Sequence, residues 1–334
     1  MKDILNSLFE HKALDRETSR RILKNLTSGQ YNSSQVAAFL TVYLMRSITV
    51  EELEGFRDAM LELCIKVDFS DYDVIDLCGT GGDGKNTFNI STLASFIVAG
   101  AGQNVAKHGN NGVSSICGSS NLMAQFGYSF TNDADQLRRE LDAAGICFLH
   151  APLFHPAMKN VAPIRQELGV KTFFNMLGPM VNPSFPPNQL VGVFNLELAR
   201  LYGYLYQKSG KDFVILHSLD GYDEISLTGP FKMISGNKEE IMTPESLGFK
   251  THDPEVLRGG DTVEDSAKIF TNILKGEGTA PQNEVVIANA GFAIFCGNRS
   301  NTLEDSIEIA KESLKSGKAH RSFKALIDTS LNRK

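Results

Sequence analysis

Cysteine is scarce and unpatterned in this chain. Its five residues, Cys64, Cys78, Cys117, Cys147 and Cys296, are odd in number and form no CxxC pair. That argues against a disulfide framework and a cysteine-built zinc site, and leaves reduced, buried thiols in the cytoplasm as the expectation. No apolar run is long enough to span a bilayer. The start, Met1-Lys2-Asp3-Ile4-Leu5, lacks the apolar stretch of a secretory signal. A basic surplus is missing too. The formal net charge of -6 disfavours a general nucleic-acid or anionic-membrane surface, while leaving room for a local basic pocket. No internal repeat and no low-complexity tail occurs. The 334 residues, 42% hydrophobic and 22% charged, suit one large or two moderate globular domains.

Residues up to about Val67 read as helices. Asp15 can cap a segment carrying Ile22, Leu23 and Leu26. Ser33 or Ser34 can cap the apolar stretch 35–45, and Thr49 with Glu52 makes a capping box. This is a small helical domain with no catalytic constellation, suited to supply a subunit interface. From Asp73 onward strand and helix patterns alternate. Strands are expected at 74–78, 104–108, 146–150, 190–194 and 213–217, with further ones near 224–227 and 285–287. Helices are expected after Asn89 and Gly118 and over 196–207, 262–274 and 303–314. Such alternation predicts parallel strands joined by crossover helices. The segment 154–187, rich in proline and asparagine, is too long for a usual loop and predicts short helices with a functional role.

One stretch organises the rest. The strand Val74-Ile75-Asp76-Leu77-Cys78 runs into Gly79-Thr80-Gly81-Gly82-Asp83-Gly84-Lys85-Asn86, then into the helix start Asn89-Ile90-Ser91-Thr92. Glycines let backbone N–H groups approach an anion, and a helix start adds unpaired donors and partial positive charge. Gly79, Gly81 and Gly84 fit a dinucleotide pattern, but the next strand ends in Lys107-His108 where an acidic residue is wanted for the ribose. Gly79 and Gly84-Lys85 nearly fit a P-loop, but Asn86 stands in place of the magnesium-binding Ser or Thr. Both readings stay open. Neither explains a second loop of the same character, Gly109-Asn110-Asn111-Gly112-Val113-Ser114-Ser115, with Lys107 before it and Ser119 after it. Two adjacent anion loops suggest a ligand with two separated phosphate groups.

Asp223-Glu224, an acidic pair that alone would be a solvated loop, becomes a candidate magnesium site beside two phosphate loops. Mg2+ takes one or two carboxylates and fills its shell from phosphate and water. Arg165 is either an ordinary helix-surface arginine or a bidentate partner for a carboxylate. His108 and His155 read as structural or substrate-lining. No nucleophile elbow is visible, so no covalent nucleophile or general base is assigned.

Together the ordered motifs resemble the anthranilate phosphoribosyltransferase family. They are Gly79-Thr80-Gly81-Gly82-Asp83, Asn89-Ile90-Ser91-Thr92, Lys107-His108-Gly109-Asn110, Asn175-Met176-Leu177-Gly178-Pro179 and Asp223-Glu224. The acceptor run Ala151-Pro152-Leu153-Phe154-His155-Pro156 with Arg165 matches as well, and the likeness covers essentially the whole chain. The resemblance implies an α/β fold of the nucleoside phosphorylase/phosphoribosyltransferase (class III) type, with a mostly parallel sheet flanked by helices. It implies a helical domain at 1–70, joined by helices from about 160–185, and an α/β domain at 71–334, with the active site at their junction. It further implies a homodimer through the helical domain and transfer of phosphoribosyl from phosphoribosyl pyrophosphate to anthranilate, in tryptophan biosynthesis. By the same resemblance Gly79, Gly82, Asp83, Thr87, Asn89, Ile90, Ser91, Thr92, Lys107, His108, Gly109, Asn110, Asn111, Gly112, Val113, Ser114, Ser115 and Ser119 hold the donor. Gly79, Asn110 and Arg165 hold anthranilate, and Ser91, Asp223 and Glu224 hold Mg2+. The chain departs from the family pattern at Asn111-Gly112 and Ser120-Asn121. The rival readings are a pyrimidine nucleoside phosphorylase-like enzyme and a catalytically silent paralogue that binds nucleic acid.

Overall fold

The structure is a computed structural model that describes residues 1–112 and 116–332. Four helices open the chain: α1 (Lys2–Phe9), α2 (Arg16–Thr27), α3 (Ser33–Met45) and α4 (Val50–Leu63). Asp15 caps α2 by accepting from the Thr18 N–H at 2.7 Å, as expected. At α3 the cap is Asn32, not Ser33 or Ser34, because Asn32 and Gln35 form a capping box and the serines lie inside the first turn. Thr49 and Glu52 form the expected box at α4. The Glu52 carboxylate, fully buried, also accepts from the Leu14 N–H and the Arg46 guanidinium, so one carboxylate ties three segments together.

The chain continues through β1 (Val74–Gly79), α5 (Ile90–Gly100), β2 (Asn104–Gly109), α6 (Ser119–Gln125), α7 (Ala134–Ala144) and β3 (Ile146–His150). The long polar segment then forms α8 (Ala151–Phe154), α9 (Ala162–Leu168) and α10 (Phe174–Leu177), with 3₁₀ turns at Pro156–Asn160 and Gly178–Met180. After it come β4 (Asn188–Gly192), α11 (Leu196–Gln207), β5 (Asp212–Ser218), β6 (Phe231–Ser235), β7 (Lys238–Met242), α12 (Val263–Leu274), α13 (Ala280–Gly297), α14 (Leu303–Lys315) and α15 (Lys318–Leu331). Among the described residues no helix is long and apolar enough to cross a membrane.

The chain divides into two compact units, Met1–Lys66 with Ala151–Pro183, and Val67–His150 with Ser184–Lys334. The first is held by an aromatic cluster. Phe39, Tyr43 and Phe56 meet edge to face, and Phe173 stacks on Phe56 with centroids 4.4 Å apart. Such ring pairs add about 0.5–1.5 kcal/mol each beyond area burial. Phe173 thereby ties the returning segment to the opening helices of its own unit.

The second unit is a seven-stranded sheet in the order β3-β2-β1-β4-β5-β6-β7, parallel from β3 to β5 and antiparallel at β6 and β7. Strand order reverses direction at β1. The loops after β1, β2 and β5 therefore open at the carboxyl edge beside a topological switch point, where α/β sheets bind ligands.

Two expected strands are absent. Residues 285–287 lie inside α13. Their β-branched run suits a strand locally, but the Thr279–Gln282 capping box starts a helix that is buried nearly all round. Residues 224–227 do not pair as a strand either. The backbone of Ile225 is bonded to the Asn289 side chain of α13, and Leu227 adopts a positive φ of 55°. The strand expected at 190–194 begins and ends two residues earlier. The β6–β7 hairpin was not foreseen, because Lys238, Glu239 and Glu240 make its edge strand polar.

Candidate active site

The glycine loop leaves β1 in a conformation that needs glycine. Gly81, Gly82 and Gly84 have φ of 62°, 80° and 73°. Gly79 is required for a different reason: a Cβ there would lie 2.3 Å from Asp223 Oδ2. Gly192, opposite Gly79 in the β1–β4 register, is tighter still, since its Cβ would lie 1.4 Å from the Asp223 carbonyl oxygen. The strand ends are thus stripped of side chains so that residues 223 and 224 can lie across them.

The acidic pair is fastened to that loop. Asp223 Oδ2 accepts the Gly81 N–H at 2.6 Å, and Glu224 Oε1 accepts the Ser91 N–H at 2.8 Å near the start of α5. Ser218 Oγ donates to the Glu224 carbonyl at 2.6 Å, while Asn289 bonds both backbone groups of Ile225. Burial and the neighbouring Asp83 push Asp223 up to about 7, and burial and Asp223 raise Glu224 well above the ordinary carboxylate range. Asp83 is raised as well, chiefly by burial. Carboxylates crowded in this way favour a cation. The donor set, two carboxylates with Ser91, whose backbone N–H bonds Glu224, is all oxygen. Among the described residues no three His, Cys, Asp or Glu side chains form a closed metal cage. An open pair suits Mg2+, which fills its shell from phosphate and water.

The remaining donor-loop residues are placed as follows. Thr87 and Phe88 run beside a distant segment: Thr87 bridges Arg258, and the Phe88 N–H donates to the Leu257 carbonyl at 3.0 Å. Asn86 donates to the Gly260 carbonyl, and Lys85 Nζ lies 4.6 Å above the Tyr222 ring. Both P-loop residues are therefore used inside the protein. Asn89 donates to the Cys117 carbonyl at 2.9 Å, which links the two anion loops. The Ile90 and Thr92 side chains are buried, so Ile90 contributes packing and backbone only.

Lys107 lies near the end of β2, ahead of the second loop. It is 2% exposed on β2, and its Nζ donates to the Leu77 carbonyl of β1 at 2.5 Å. Burial lowers its pKa, and Asp76 opposes that shift. Asp76 is buried too and accepts the His108 N–H at 3.1 Å. Lys107 is thus buried against the β1 backbone, with Asp76 favouring its charged form.

In the second loop, the Ser120 N–H donates to the Asn110 carbonyl at 3.1 Å, and Asn110 Oδ1 accepts the Asn111 N–H at 2.8 Å. Gly109 leaves room for Ser119, whose Oγ would be 2.5 Å from a Cβ there. Asn121 Oδ1 accepts from both Gly112 and Gly118, so the two departures from the family pattern are bonded to each other. Val113, Ser114 and Ser115 lie outside the described residues.

In the other unit, Arg165 on α9 donates from Nη2 to Asn175 Oδ1 at 3.2 Å and lies over the Phe174 ring. His155 is buried, and burial depresses its pKa to about 4. Sequence reasoning missed Gly192, Asn289 and the segment 257–260. A lone asparagine in the apolar run of α13 was the one available signal.

The chain matches the helical bundle domain of the glycosyl transferase family over residues 2–64 and that family's a/b domain over residues 71–320. It is 61% identical over 331 residues to the anthranilate phosphoribosyltransferase of Flavobacterium johnsoniae, covering 99% of this chain and 100% of the relative. The chain belongs to the anthranilate phosphoribosyltransferase family. The member from Cytophaga hutchinsonii is 54% identical over 327 residues, covering 98% of this chain and 100% of its own. Two solved structures of the family share the fold. The Thermus thermophilus enzyme has a TM-score of 0.91 at 31% identity, covering 98% of this chain and 99% of its own. The Saccharomyces cerevisiae enzyme in complex with phosphoribosyl pyrophosphate and Mg has a TM-score of 0.91 at 25% identity, covering 98% and 97%.

Proposed function

We propose that this chain transfers the phosphoribosyl group of phosphoribosyl pyrophosphate to anthranilate, releasing pyrophosphate, in tryptophan biosynthesis. One observation carries the reading within the family. The carboxylates of buried Asp223 and half-buried Glu224 are bonded to the glycine loop and the start of α5, where a diphosphate with its cation would lie. The donor is assigned to Gly79, Gly82, Asp83, Thr87, Asn89 and Ser91 with the second loop at 109–112 and Ser119. Asp223, Glu224 and the Ser91 hydroxyl would hold Mg2+, which would neutralise charge on the departing pyrophosphate. Arg165 is assigned the acceptor carboxylate, with Gly79 and Asn110 on the acceptor side of the donor loops.

The acceptor is an arylamine and is unprotonated at neutral pH, so no strong base is needed to begin. The amine nitrogen bonds to the anomeric carbon, the bond from that carbon to pyrophosphate breaks with its electron pair leaving on pyrophosphate, and the nitrogen gives up a proton to water. Holding the two reactants in place accounts for about 7–11 kcal/mol of barrier in favourable cases. Lys107, buried beneath the loops, would add a positive field below the leaving group. No covalent ribosyl-enzyme intermediate forms. A homodimer through the helical unit is supported by the exposure of Phe9, Leu44 and Met45 on α1 and α3.

The test is loss of anthranilate fluorescence. The protein contains no tryptophan, so its own emission interferes little. Decay is expected only with both phosphoribosyl pyrophosphate and Mg2+ present. Decay without the donor, or none with all components, would overturn the proposal.

A further inference from the structure

Arg165 carries a charge that its surroundings orient but do not neutralise. Its Nε is buried and has no hydrogen-bond partner. Burial alone lowers its pKa, with no acidic group acting in the other direction. Two neighbours fix it instead. Asn175 Oδ1 accepts from Nη2 at 3.2 Å, and the guanidinium carbon lies 5.1 Å from the centroid of the Phe174 ring. Both neighbours are themselves held. Asn175 Oδ1 also accepts the Thr172 N–H at 3.1 Å, and Phe174 stacks on Phe173 at 4.6 Å, which stacks on Phe56 in the core of the same unit. A chain of fixed groups therefore runs from the core to the guanidinium.

The choice of an amide at 175 has a chemical consequence. An amide oxygen orients a guanidinium and leaves its full charge to an incoming anion. A carboxylate at the same position would satisfy the charge from within. The planar fork of arginine gains most from a bidentate carboxylate when it is already oriented, because less side-chain freedom is lost on binding. A half-buried cation lacking a counter-ion also penalises a neutral ligand, which would leave it unpaired.

We propose that Asn175, backed by Phe174, is the positioning residue that presets Arg165 and thereby sets the preference for an acceptor bearing a carboxylate. This rests on the assignment of Arg165 to the acceptor carboxylate. Asn175 makes no bond to the reacting atoms and acts through Arg165.

The test compares the wild type with N175D, N175A and R165A in steady-state turnover of anthranilate, with anthranilamide as a neutral competitor. N175D keeps shape and the acceptor for the Thr172 N–H, so the fold is retained and a melting curve checks it. The KM for anthranilate is expected to rise about tenfold or more in N175D, the size of a lost charge-assisted bond. The KM for phosphoribosyl pyrophosphate is expected to stay within about twofold, since the change is confined to the acceptor's partner. The binding preference for the acid over the amide should fall by the same factor as the anthranilate KM rises. A structural role alone would not move that preference. N175A should raise KM less, because the guanidinium loses its guide but gains no competitor. An unchanged acid-over-amide preference in N175D, with R165A raising the anthranilate KM, would overturn the role of Asn175 alone. An unchanged KM in R165A would overturn the acceptor assignment and this inference with it.

Discussion

Asp223 and Glu224 each use one oxygen to hold a backbone donor of the loop they face, at Gly81 and Ser91. Burial and Asp83 raise Asp223, and burial and Asp223 raise Glu224. Asp223→Asn combined with Glu224→Gln should preserve shape yet remove the negative charge. Turnover is expected to fall on the order of a hundredfold or more with an unaltered circular dichroism spectrum. Unchanged turnover at saturating Mg2+ would show that the metal is held elsewhere. His155 gives a stability prediction of definite sign. Burial depresses its pKa from 6.5 to about 4, so the folded protein resists a proton that the unfolded chain accepts. Its contribution is complete above pH about 6.5 and is lost as pH falls towards 4, worth on the order of 3 kcal/mol. Denaturant unfolding at several pH values should therefore show a shallower loss on the acid side for His155→Gln than for the wild type. Parallel curves would place the acid sensitivity in other groups.

At the scale of elements, the glycine loop is held from outside as much as by its own residues. The segment after the 3₁₀ turn Pro254–Leu257 runs beside Thr87 and Phe88, and Gly259 donates to the Asn86 carbonyl at 2.8 Å. A Cβ on Gly259 would lie 2.5 Å from the Thr87 carbonyl oxygen. Gly259→Ala must therefore displace the loop assigned to the donor. Overpacking of this kind costs about 1–3 kcal/mol, so the donor KM should rise roughly tenfold while the anthranilate KM is unaffected. Equal changes in both constants would mean that the strain spreads through the whole unit. The helix caps act more locally. Thr49→Ala, which removes the acceptor for the Glu52 N–H, should cost about 1 kcal/mol in chemical denaturation. A cost near zero would show that tertiary packing alone holds the start of α4.

For the whole molecule, the division of labour follows the two units. The second contains the sheet whose carboxyl edge gathers both anion loops and the acidic pair. The first contains Arg165 and an exposed apolar set, with Phe9 60% and Met45 84% exposed. If that set forms the subunit contact, sedimentation should give twice the 36.6 kDa chain mass for the wild type and the single mass for Met45→Glu. A single mass for the wild type would refute the homodimer.

Local chemistry was legible in the residues wherever it acts over a few positions. The capping box at Thr49, the strand into a glycine loop at Asp76 to Gly84, the helix starting near Ser91 and the parallel alternation could all be read directly. Each depends on turn geometry, hydrogen bonds to near neighbours or hydrophobic period. Long-range contacts were not legible. Val285 to Ile287 became helix because burial on all sides outweighs a short β-branched run. Residues 224–227 lost their strand to the side chain of Asn289, 64 positions away from Ile225. Gly79 was expected to admit a phosphate, and the tertiary structure shows that its missing side chain makes room for Asp223. Lys107 was read as closing a strand before the second loop, and the tertiary structure adds that its ammonium is buried against the Leu77 carbonyl, with Asp76 opposing its loss of charge. The residue types alone thus determined which chemistry is available, because that follows from side-chain groups and local spacing. Only the tertiary structure decided which groups face one another, because the fall of free energy on burial and pairing depends on neighbours brought together from distant parts of the chain.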